Sequence, residues 1–172
     1  RTIYDQFGNK EGLFAAVIRG RSALILAPLD DLAAEGQTPE ETLTAFGRRL
    51  LSNLLSPGVL GVLRLVIAES PRFPDLGDAY YQAGPATARR TLARYFRRQV
   101  AAGRLRLADT DAAAGQFLGL VLGNQHIRAM IYPDRLPTVR QINAQVRQAV
   151  AIFLRGAAVA PPMRGRGRRR GA

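Results

Sequence analysis

A chain of 172 residues, 47% apolar and 7% aromatic, is long enough for one sizeable hydrophobic core, and one compact domain is the default organisation. Its 25 basic residues outweigh 13 acidic ones for a net charge of +12, but all of them except Lys10 are arginine, a residue with GC-rich codons like the abundant alanine, glycine and proline, so the excess argues only weakly for a nucleic-acid partner. The absence of cysteine excludes disulfides and thiolate metal sites and fits a reducing cytoplasm, and no apolar run approaches the roughly 18 residues that would suggest a membrane span.

Periodicity is helical almost throughout, and no run alternates long enough to argue for a sheet, so the expected fold class is all-α. The stretch "TIYDQFGNKEGLF", Thr2 to Phe14, reads as a helix ending near Phe7, a left-handed Gly8, and Asn9 capping the next helix. That helix runs from Lys10 to Leu26 on an apolar stripe of Leu13, Phe14, Val17, Ile18, Leu24 and Ile25, bends or restarts at Pro28 and stops at Gly36. In "TPEE", Thr38 caps, Pro39 opens and Glu41 completes a capping box, predicting a helix to about Leu55. Ser56 and Pro57 open "VLGVLRLVIAES", apolar nearly all round and so expected to be buried on several sides until Pro71 ends it.

A short helix is expected from about Pro74 to Ala83, with a stop at Gly84. After Pro85 a long helix reaches Gly103, with Leu92, Phe96 and Val100 inward and Arg89, Arg90, Arg94, Arg97 and Arg98 on a basic outer surface. An extended connector leads to the Asp109 cap and an apolar helix from Asp111 to about Ile131. Pro133 and Pro137 frame a loop, and Thr138 caps the last helix. Beyond Gly156 the tail, which carries five arginines in the last nine positions, has no apolar periodicity and is expected to be disordered.

The opening corner carries the most specific signal. Thr2, Ile3, Tyr4, Phe7, Lys10, Glu11, Leu13 and Phe14 fill every defining position of a pattern that closely resembles the end of the DNA-binding domain of the tetracycline-repressor (TetR) family. Asn9 stands where serine is usual and also caps; Gly12 replaces a better helix former. The resemblance implies a TetR-like helical ligand-binding and dimerisation bundle, with only the remnant of an N-terminal helix-turn-helix. It assigns residues 1–14 to the end of the recognition helix and the start of the linking helix, the rest lying upstream of Arg1, residues 15–157 to the ligand and dimerisation domain, and 158–172 to the tail. Thr2, Tyr4 and Lys10 are then the contacts to the DNA backbone, through hydroxyls and a charge at a helix N-terminus. "LRLVIAESPRFPDLGDAYYQAGP" and "FLGLVLGNQHIRAMI" are similar to an AefR-type C-terminal domain.

Catalysis finds little support. One histidine, no cysteine and no nucleophile or phosphate-loop motif argue against an enzyme, a cofactor or a metal site, and His126 is expected to be a polar core or interface residue. A cavity between helices is more plausible, and polar or aromatic residues on apolar faces are its candidates: Phe46, Asn53, Glu69, Phe73, Tyr80, Tyr81, Phe117, Asn124 and Arg128. The charges of Arg64 and Glu69 on a nearly all-apolar helix demand partners. Gly115, Gly119 and Gly123 leave one bare helical strip, costing about 3 kcal/mol in helix propensity, which a close helix crossing would offset. The resemblance places that crossing at a dimer interface between the last two long helices, which also nominates Ile142, Val146, Val150 and Phe153.

The resemblance implies a one-component, cytoplasmic bacterial transcriptional regulator, a repressor. It would bind double-stranded operator DNA as a homodimer, with no membrane partner, and be released by a small apolar or amphipathic effector. The competing reading is a helical interaction protein that binds RNA or acidic partners through its arginine-rich tail.

Overall fold

Thr38 begins the first described helix as its sequence demands. Its hydroxyl accepts from the Glu41 N–H at 3.3 Å, and the Thr38 N–H and hydroxyl, both donating to the Glu41 carboxylate at 2.9 Å, hold that carboxyl below its ordinary pKa. Helix α1 runs Pro39–Leu54 and buries Leu43, Phe46, Leu50 and Leu51 at three- and four-residue spacing. The computed structural model describes residues 37–157, with Gly20 alone before them. Thr2, Tyr4, Lys10, the linking helix with Pro28 and the tail 158–172 lie outside the described residues.

Five further α-helices follow: α2 Pro57–Glu69, α3 Pro74–Tyr81, α4 Thr87–Ala101, α5 Thr110–Ile131 and α6 Val139–Ala157. No strand occurs among the described residues. Helices α5 and α6 also start at their expected caps, whereas the Ser56 hydroxyl before α2 makes no cap bond. The Asp109 carboxylate accepts from the N–H groups of Asp111 and Ala112, both at 2.9 Å, and Thr138 with Gln141 repeats the reciprocal box at the start of α6. At the end of α4, Gly103 takes φ 67° while its N–H and that of Arg104 return to Val100 and Gln99, a Schellman stop.

Three local expectations are corrected. The chain does not stop at Gly84: a π-helical turn, Gln82–Ala86, joins α3 to α4. Pro85 has no N–H for an α-helical bond, so the turn widens, and the Thr87 hydroxyl takes up the Gln82 carbonyl at 2.7 Å. Helix α2 is not enclosed on several sides. Only Leu60 and Val66 are buried in it, and Leu65 and Ile67 are more than half exposed. Finally, α5 is broken at Gly123, which has φ 47° and ψ −152°.

Most of the packing lies between α1 and α6, between α4 and α5, and between α5 and α6. At its centre the rings of Phe46, Phe96, Phe117 and Phe153 meet with centroids 5.1 to 6.4 Å apart, stacked or edge-on. Helix α1 crosses α6 closely at Gly47, where an added Cβ would stand 2.9 Å from Val146 Cγ1.

Candidate ligand cavity

The side chains that α1 does not turn toward α6 wall a different space. Leu50, Asn53 and Leu54 of α1 and Val59 and Leu63 of α2 form one side of a cavity of about 480 Å³. Tyr80, Tyr81, Gly84 and Pro85, from the end of α3 and the π turn, with Ala88 and Arg89 of α4, form another. Helix α5 closes it with Gly115, Leu118, Gly119, Leu122 and His126, spacings of three and four that put one stripe on the hollow. A Cβ added at Gly115 or Gly119 would meet nothing within 4 Å. Both glycines are exposed in the single subunit, so this part of the bare strip opens onto the cavity and not onto a close helix crossing within the chain.

The volume falls within the usual range for small-molecule sites, about 300–1,000 Å³, and the mostly apolar lining with few polar groups is typical of them. Burial shifts two of those groups toward neutrality: it raises the Tyr80 phenol above its ordinary 10.0 and lowers His126 below 6.5. Both are uncharged at neutral pH. Arg89 is exposed at the edge, and no carboxylate is among the lining residues.

The segment bearing His126 is set by the break in α5. Gly123 leaves the helical backbone conformation, and the Gln145 side-chain amide of α6 donates to the Leu120 carbonyl at 2.7 Å. Arg64 of α2 holds the far end, donating to the carbonyls of Met130 at 3.0 Å and Ala129 at 2.6 Å. Its charge is thus met by the C-terminal carbonyls of α5.

Of the nine residues nominated for a ligand, Asn53, Tyr80 and Tyr81 line this cavity. Phe46 and Phe117 do not: they are fully enclosed in the aromatic core. Glu69, Phe73, Asn124 and Arg128 also lie off the cavity. Glu69 sits half-buried at the end of α2, Phe73 is half exposed with the Arg72 guanidinium 5.5 Å from its ring centre, and Asn124 and Arg128 face outward. The residues nominated for a dimer contact occupy three settings in the single subunit. Ile142, Val146, Val150 and Phe153 are buried inside the subunit, Gly115 and Gly119 line the cavity, and Gly123 packs against Gln145. His126 and Arg89 were not among the nominated residues; the stripe from Gly115 to His126 was the available signal for the histidine, and nothing comparable marked Arg89 on α4.

A second depression, over the first turns of α1, is edged by Glu40, Glu41 and Arg48, all exposed, and has no buried floor. Among the described residues no group of three potential ligands could hold a metal ion, and no single helix is long and apolar enough to cross a membrane.

The C-terminal domain of AefR-like transcriptional repressors, as a family, matches residues 41–156. The chain belongs to the TetR family of transcriptional regulators. Solved structures agree. A protein assigned to the TetR-family regulators of Mesorhizobium loti MAFF303099 superposes with a TM-score of 0.78 at 26% identity, covering 91% of this chain and 79% of that one. The flavonoid-responsive regulator FrrA gives a TM-score of 0.68 at 28% identity over 92% and 80% of the two chains. A TetR regulator from Agrobacterium tumefaciens, 24% identical with a TM-score of 0.68 over 91% and 76%, shares the fold. No curated protein matches the chain significantly. This TetR regulator therefore belongs among transcriptional regulators and not among enzymes.

Proposed function

We propose that this TetR regulator is a repressor that binds operator DNA as a homodimer and lets go when a small apolar or amphipathic effector fills the cavity. The carrying observation is the hollow itself, about 480 Å³ against one face of a broken helix. An effector there touches both the segment of α5 before Gly123 and, through His126, the segment after it. It biases the protein only by binding one arrangement of those segments better than another. The name of FrrA, a flavonoid-responsive relative, supports control by a small molecule.

Dimerisation belongs to the outward faces of α5 and α6, because their inward residues are spent on the core. Ile127, Ile131 and Ile152 are each more than half exposed there, a cost in water that a second copy removes. Two recognition helices so paired would enter successive major grooves about 34–36 Å apart. Thr2, Tyr4 and Lys10 would grip phosphates.

The test uses the full-length protein and a duplex from the control region of its own gene. Sedimentation should give two chains per site, Ile152→Glu combined with Ile131→Glu should yield monomers with weak DNA affinity, and Tyr4→Phe should weaken binding at every sequence alike. Binding that follows the arginine-rich tail and ignores Tyr4→Phe and Lys10→Ala would favour the interaction-protein reading instead.

A further inference from the structure

We propose that the cavity takes a weak organic acid, with an apolar body among the leucines and a monoanionic head at Arg89. This rests on the effector-cavity reading above and narrows it to one class of ligand. Leu50, Leu54, Leu63, Leu118 and Leu122 supply the wall, and a body lacking polar groups is what such a surface desolvates at least cost. Asn53, Tyr80 and His126 are neutral hydrogen-bonding groups at neutral pH, and His126 has no hydrogen-bond partner among the described residues.

The sign of the head group follows from what borders the opening. Arg89 is exposed and has no ion-pair or hydrogen-bond partner among the described residues. Its neighbours on α4 are engaged. Arg90 donates to the Thr87 hydroxyl at 3.0 Å, and Arg97 pairs with Asp111 at 3.1 Å. No Asp or Glu is among the lining residues to receive a cation. A cationic ligand would thus leave water for a wall of leucines and stand beside a like charge, with no counter-ion to offset either cost. A carboxylate meets a guanidinium whose fork matches its two oxygens. The chain's net charge of +12 adds a long-range field of the same preference.

Three probes of one shape separate the possibilities: para-substituted biphenyl carboxylate, carboxamide and amidine, anionic, neutral and cationic respectively. They are titrated calorimetrically into the full-length protein and into Arg89→Gln and Arg89→Lys, near physiological salt. The carboxylate should bind at least tenfold more tightly than the amidine. Arg89→Gln should weaken the carboxylate about fivefold, as expected for a partly exposed ion pair, and leave the carboxamide within twofold, while Arg89→Lys retains most of the preference. An amidine that binds as well as the carboxylate, or an Arg89→Gln loss equal for acid and amide, overturns the assignment of charge while leaving the cavity reading intact. Failure of all three probes to bind overturns the cavity reading, and the inference falls with it.

Discussion

A Cβ added at Gly123 would sit 2.6 Å from the Gln145 amide nitrogen, on a backbone whose φ of 47° and ψ of −152° favour glycine alone. Gly123→Ala should therefore lower unfolding stability by about 1–3 kcal/mol, read as a fall in the urea midpoint at constant slope. An unchanged midpoint would mean that α5 runs straight through. His126 gives a residue-scale expectation in pH. Burial lowers its folded pKa below the unfolded value of 6.5, so between those values the unfolded state holds more protons. Stability is full above pH 6.5 and declines as pH falls from there through the folded value. Melting curves at stepped pH should show that decline in the wild type and lose that component in His126→Gln.

At the scale of the helices, glycines that look alike in the sequence do opposite things. Gly119 faces open space, whereas Gly47 lies where a Cβ would press on Val146. The same change should have opposite signs. Gly119→Ala gains helix propensity, up to about 1 kcal/mol, and Gly47→Ala overpacks the α1–α6 crossing at a cost of about 1–3 kcal/mol. Chemical denaturation of the two variants checks both signs at once. This contrast also marks what the sequence could disclose. Caps such as Thr38, Asp109 and Thr138 act through their own next few residues, so helix starts were legible. The stripe Ile142, Val146, Val150 and Phe153 was legible as a stripe, but which wall it faced depended on helices far away in the chain. Asn53, Tyr80 and Tyr81 stood out as polar or aromatic residues on apolar faces. His126, expected as a polar core or interface residue, and Arg89, expected on an outer surface, were not legible as cavity residues, because a cavity edge is made by the meeting of several helices and by the π turn, where Gly84–Pro85 read as a stop.

Across the whole molecule, the core and the cavity divide the work. The aromatic cluster and the α1–α6 and α4–α5 contacts hold the bundle, while the hollow borders α5 on both sides of its break, from Gly115 to His126. Arg64 and Gln145 bond that helix at its last turn and at the break, so a ligand that moves one segment relative to the other works against defined bonds. The central claim is that occupancy of this hollow controls the grip on DNA. Release of an operator duplex from full-length protein, followed by fluorescence anisotropy as biphenyl carboxylate is added, tests it most directly when the wild type is compared with the cavity-filling variant Gly119→Leu. Release from the wild type is expected, with intact DNA binding but at least tenfold weaker release in the variant. Equal release from both would contradict it.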